Sequence, residues 1–165
     1  DDPAEAAHER PVTQFSRRIF IVHGHDEALK VEVARLLERL EFEAVILHEQ
    51  PNRGRTVIEK FENYSDVGFA VALLTPDDVG AKQPVQGHTP DLVPRARQNV
   101  IFELGFFIGR LSRDRVVALH RHGTELLSDI SGVVYTQVDS HGAWKLELAK
   151  ELHAAGYDVP FKNIA

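Results

Sequence analysis

Residues 67–74 read VGFAVALL, an unbroken run without a charge or a polar side chain. A strand with one wet face alternates apolar and polar residues, whereas a strand covered on both faces reads as a continuous apolar run. The segment VGFAVALLTPDD is therefore expected to be a central strand, with layers packed on both sides of its sheet. This limits the architecture to sheets sandwiched between helices, and the flanking sequence supplies those helices.

RRIFIVHG is a short β-branched and aromatic run ending at Gly24, and predicts a buried strand. DEALKVEVARLLERL follows, with Leu29, Val33, Leu36, Leu37 and Leu40 at helical spacing and Asp26 as N-cap. EAVILHEQ predicts the second strand, PNRGRT a loop, and TVIEKFENYSD a short helix with Ile58 and Phe61 on one side. After the central strand, VGAKQPVQGHTPDLVPRA has three prolines and no period, and reads as a loop over the sheet edge. RARQNVIFELGFFIGRLSRD predicts the longest helix and RVVALHR a fourth strand. TELLSDISG predicts a short helical turn closed by Gly132, VVYTQVDS a fifth strand, and AWKLELAKELHAAG a final helix with Gly156 at C′. Five βα units with short connections and right-handed crossovers predict an α/β fold. The expected form is a flavodoxin-like, doubly wound, five-stranded parallel sheet in the order 2-1-3-4-5. The 165-residue length suits one such domain, and no internal repeat is present.

Composition narrows the function classes. The net charge of -6 argues against a duplex nucleic-acid binder, which needs a basic face. No apolar run approaches the roughly 18 residues of a membrane span. Cysteine is absent, which excludes disulfides and thiolate metal sites and fits a reducing cytoplasm. Methionine is absent too, and the opening DDPAEAAHERPVTQFSRR has no apolar periodicity. Residues 1–16 are expected to be a linker from a preceding region of a longer protein. The alternative is a native N-terminus that has lost its initiator methionine.

Ligands of a doubly wound sheet bind beyond the carboxyl ends of its strands. Four stretches meet there: His23 to Asp26, Glu49 to Arg55, Thr75 to Asp78, and the first half of the long helix. On that helix Glu103 stands within QNVIFELGFFIG, and its helical neighbours Asn99, Val100, Phe106 and Phe107 include no cation. A carboxylate in apolar surroundings is costly and has a raised pKa, a pattern that marks functional sites. Either Glu103 serves such a site, or it reaches an arginine from elsewhere or points to water. Asn99, one turn earlier, offers a donor and an acceptor to a ligand, or is merely solvated. HGHD after the first strand either cradles a phosphate with helix-terminal amides or is a capped turn, and it lacks the GxGxxG fingerprint. His23 and His25 lack a supporting ligand cluster, and His48 is isolated, so no metal site is expected. PNRGR is either an arginine clamp for a diphosphate or a solvated turn. TPDD invites comparison with a response-regulator receiver, but the acidic pair after the first strand is missing and Lys145 comes too late in the chain.

Taken together, IFIVHGHDE, ILHEQPNRGRTVIEKFE, FAVALLTPDD, RARQNVIFELGFFIGRL and WKLELAKEL resemble a known family. This is the bacterial TIR-like domains that serve as effectors in CBASS and Pycsar antiphage systems, and the similarity covers about residues 17–158. The resemblance implies a TIR-like domain over residues 17–165 with NAD+ glycohydrolase activity, giving nicotinamide plus ADP-ribose or a cyclic isomer. It assigns Glu103 as the catalytic carboxylate. Gly24, His25, Asp26, Asn52, Arg53, Thr75 and Asn99 are the implied substrate contacts, and Phe69 or Phe106 can flank a base. Asn99 stands where animal and plant TIR enzymes often have a tryptophan, and His25 where many relatives have an arginine. PNRGR matches the BB loop of the family. NAD+ would be the substrate, so no separate cofactor is expected. The resemblance also implies a cytoplasmic homo-oligomer or filament, activated by a cyclic nucleotide through a region outside this chain, with no membrane or nucleic-acid partner. The rival reading is a non-catalytic TIR interaction module or a nucleotide-binding domain.

One carboxylate suits the implied reaction. Ordinary glycosidases need a second carboxyl group to protonate a poor leaving group. The nicotinamide of NAD+ is already a cationic pyridinium and departs neutral. What remains is an oxocarbenium-like ribosyl centre that a single negative group can stabilise or attack.

Overall fold

The computed structural model describes residues 15–47, 59, 62 and 66–165. The chain runs from β1 (Arg18–Val22) through α1 (Glu27–Arg39) to β2 (Glu43–Ile46). β3 (Phe69–Leu74) is followed by two short strands, β4 (Asp78–Gly80) and β5 (Val93–Arg95), and then by α2 (Gln98–Leu111). β6 (Val116–His120), β7 (Val134–Gln137) and α3 (Ala143–Ala154) complete the order. Of the helix expected over 56–66, the described residues Glu59 and Glu62 are helical and exposed, while Ile58 and Phe61 lie outside the described residues.

The main sheet has five strands in the order β2-β1-β3-β6-β7, every pair parallel. This is the expected 2-1-3-4-5 winding, with β6 and β7 as its fourth and fifth strands. All six residues of β3 are buried, and it sits in the middle, as its unbroken apolar run requires.

Because side chains alternate across a strand, each strand feeds two cores. Ile19, Ile21, Val71 and Leu73 point toward α1 and α3, where Leu36, Trp144 and Leu148 close one layer. Phe20, Val22, Ala70, Ala72 and Ala118 point the other way, against Val100, Leu104 and Phe107 of α2. The small alanines on this face admit the Phe107 ring, which lies 4.6 Å from the Phe20 ring. Gly156 follows α3 with φ +95°, a left-handed conformation that suits the expected C′ glycine.

Three expectations are corrected. The segment 79–96 is not purely a loop: Asp78–Gly80 pairs antiparallel with Val93–Arg95, and only the stretch between them is irregular. Three-residue strands, one carrying Pro94, give too short a pattern to read. TELLSDISG forms turns rather than a helical turn. Glu125 bridges to Arg95, and its amide donates to the Pro94 carbonyl at 2.8 Å, so the ribbon captures this segment in extended form. The long helix is also shorter than its apolar pattern. Arg95 belongs to β5, and Arg113–Arg115 forms a 3-10 turn after Ser112.

Candidate functional site

The chain reverses its winding direction between β1 and β3, and the turns after these two strands face each other there. Gly24 is buried in the first turn, and a Cβ added to it would overlap the Asp77 carboxylate. A glycine is needed because the second turn approaches this closely. Thr75 is fully buried and its hydroxyl donates to Asp77 Oδ2 at 2.9 Å. Thr75 thus fixes Asp77, and Asp77 presses on Gly24. Phe69, considered as a base-stacking ring, is fully buried in the core.

Asp26 caps α1 as expected, accepting from the Leu29 amide at 2.9 Å through Oδ1. Its other oxygen accepts from Arg121 Nε at 2.8 Å. The Arg121 guanidinium, helped by the Leu29 amide, holds the Asp26 carboxyl below its ordinary range despite partial burial. The carboxylate therefore occupies the helix terminus that an anion would otherwise use. Arg121, just past the end of β6, was not anticipated. Its position at the carboxyl edge of a sheet strand was the available signal.

His25, exposed, projects from the same turn. Its Nε2 lies 3.3 Å from Nη1 of Arg97, the residue immediately before α2. The HGHD turn thus holds one arginine on each side: Arg97 through His25, and Arg121 through Asp26. Asn99 lies exposed on the first turn of α2.

Glu103 is half-buried on α2, and burial pushes its carboxyl up to about 7, with Arg97 opposing the rise. The expectation of a raised pKa on an apolar helix is met. The expectation of no neighbouring cation holds along the helix at i±3 and i±4, but not in space, because Arg97 acts from six residues upstream. The signal was a cation at a helix N-terminus, where the dipole disfavours it.

Asn52 and Arg53 lie outside the described residues, as does His48. Lys145, weighed as a receiver lysine, pairs with Glu32 of α1 at 2.9 Å. It is thereby tied to the α1–α3 layer, away from Asp77. Among the described residues no cluster of three or more histidine, aspartate or glutamate side chains can hold a metal. Two hollows border the β4–β5 ribbon. One of about 560 Å³ lies among Lys82, Val85, His88, Asp91 and Glu125, and one of about 240 Å³ among Arg95, Gln98, Ile101 and Leu127.

The five-stranded, all-parallel flavodoxin-like sheet is the architecture of a TIR-like domain. The chain belongs to the family described as CAP12/Pycsar effector protein, TIR domain, which matches residues 18–140. It is 50% identical over 161 residues to the uncharacterized protein YuaY of Escherichia coli (strain K12), covering 97% of this chain and 50% of that protein. It is 40% identical over 74 residues to the Pycsar effector protein PaPycTIR of Pseudomonas aeruginosa, covering 44% of this chain and 22% of that one. The Pycsar effector protein BcPycTIR of Burkholderia cepacia is 32% identical over 127 residues, covering 70% of this chain and 38% of its own length. The chain thus spans about half the length of YuaY and less of the two Pycsar effectors. No helix among the described residues is long and apolar enough to cross a membrane.

Proposed function

We propose that this domain is an NAD+ glycohydrolase that works as an antiphage effector, with Glu103 as its catalytic carboxylate. The observation that carries this reading is Glu103 itself, half-buried, pushed up to about 7, and carried by the helix whose start is tied to the ligand-binding edge of the sheet. Membership of the CAP12/Pycsar effector family supports it.

The leaving group of NAD+ departs as neutral nicotinamide, so the site needs no proton donor. It needs a negative group near C1′ as the ribosyl carbon gains positive charge. An ionised Glu103 supplies that charge in a partly desolvated place, where it acts more strongly than in water. Water or a nucleophile of the substrate then completes the transfer, giving ADP-ribose or a cyclic isomer. Asn99, on the exposed first turn of the same helix, is suited to bind a ribose hydroxyl. Gly24, His25, Asp26 and Thr75 shape the turns that receive the rest of the dinucleotide, and Asn52 and Arg53 are the further substrate contacts that the resemblance implies.

Activity in this reading depends on self-association, with cyclic-nucleotide sensing by another part of a longer protein. The test is to cluster the domain artificially, supply NAD+, and measure nicotinamide. Release by the clustered wild type, lost in Glu103→Gln and Glu103→Ala, supports the proposal. No release, or equal release by both variants, would leave a non-catalytic interaction module as the better description.

A further inference from the structure

Arg97 occupies a place that helix electrostatics disfavour. It is the N-cap of α2, it makes no capping hydrogen bond with its side chain, and no acidic residue stands in the first turn. A cation at a helix N-terminus is opposed by the dipole. A residue that breaks a local rule is expected to contribute something elsewhere.

The contribution is visible in what the side chain meets. A guanidinium only donates hydrogen bonds, so His25 Nε2, 3.3 Å from Arg97 Nη1, is the acceptor. The turn that carries His25 is pinned on both sides. Gly24 before it abuts Asp77, and Asp26 after it is fixed by the Leu29 amide and Arg121. The link spans 72 residues of sequence and ties the β1–α1 turn to the start of the glutamate-bearing helix.

We propose that His25 and Arg97 form a positioning pair: the imidazole holds the guanidinium at the start of the helix that carries Glu103, as the counter-charge of that carboxylate. The inference rests on the reading of Glu103 as the catalytic carboxylate. Among the described residues, Arg97 is the charge that acts on Glu103 against its burial. Arg95 and Glu125 line a hollow with Gln98 and Ile101 of α2, and several ionisable groups on the strand ends have contacts of their own. His23 meets the Gly24 carbonyl, Asp77 the Thr75 hydroxyl, and His120 the Arg121 carbonyl, while Asp26 and Arg121 pair with each other.

The test is a ¹³C NMR titration of the labelled Glu103 carboxyl in wild type, Arg97→Gln, His25→Ala and His25→Gln, with the remaining resonances reporting the fold. Arg97→Gln should raise the Glu103 midpoint by roughly one unit, as expected for loss of a nearby opposite charge. His25→Ala should produce part of that rise. His25→Gln, whose carbonyl can accept from Arg97, should stay near the wild-type midpoint. The acid limb of nicotinamide release by clustered protein should move in step. An unmoved midpoint in Arg97→Gln, or equal shifts in His25→Ala and His25→Gln, overturns the proposal. The titration needs no turnover, so it fails or succeeds separately from the enzymatic reading.

Discussion

Glu103 costs the fold something at neutral pH, and the sign can be worked through. Its folded pKa, about 7, lies above the ordinary value of 4.5. Below the ordinary value the group is protonated in both the folded and unfolded states and has no effect. Between the two values the unfolded chain releases a proton that the folded chain keeps, so stability falls as pH rises. Above about 7 the penalty is constant. Glu103→Gln should therefore match wild type near pH 4 and exceed it at pH 8, by about 1–2 kcal/mol once solvent screening at a half-buried site is allowed for. Urea denaturation at the two pH values measures this. A Glu103→Gln variant that differs from wild type by the same amount at both pH values would mean the carboxyl is not desolvated. At Gly24, substitution by alanine must displace the Asp77 carboxylate from Thr75, and should cost about 1–2 kcal/mol. The cost should shrink when Asp77 is also alanine, and a double-mutant cycle detects that coupling.

The face of α2 toward the sheet carries the largest packing energies on its side. Phe107→Ala removes a fully buried ring lodged between Phe20 and the strand alanines, and should cost about 3–5 kcal/mol, read as a lowered denaturation midpoint. At this scale much was legible beforehand. The apolar run of β3 fixed its central place, the spacing of Leu29 to Leu40 gave α1, and Asp26 capped it. The failures share one cause. Ribbon strands of three residues and the extended stretch at Glu125 are set by pairing with each other, not by local propensity. The helical turn expected over TELLSDISG gives way to the bond from the Glu125 amide to the Pro94 carbonyl. The candidate site was legible as residues on one edge. Its wiring, Arg97 to His25 and Arg121 to Asp26, was not, because those partners lie 72 and 95 residues apart.

Across the molecule, the candidate site and the main side-chain bracing stand at opposite sheet edges. The amino edge is held by Arg115, which is buried and donates to the Gly68 carbonyl, the Ala155 carbonyl and the Tyr157 hydroxyl. Tyr157 in turn donates to the Ser16 carbonyl, and Arg17 donates to the carbonyls of Leu40, Glu41 and Asp158. These bonds fasten the segment entering β1 to the segment leaving α3. Arg115→Ala strands several acceptors, and should cost about 2–4 kcal/mol. It should leave the Glu103 titration midpoint where it is, since distant sites act independently. A shifted midpoint would show that the two edges are coupled.

The account turns on one carboxylate acting on NAD+. The most direct measurement is nicotinamide release from artificially clustered protein at pH 8, where Glu103 is ionised, for wild type and Glu103→Gln. The account predicts steady release by the wild type and a loss of at least about 100-fold in the variant, the scale on which a single charge-stabilising group acts. A clustered wild type that leaves NAD+ intact, or a variant that keeps pace with it, would contradict it.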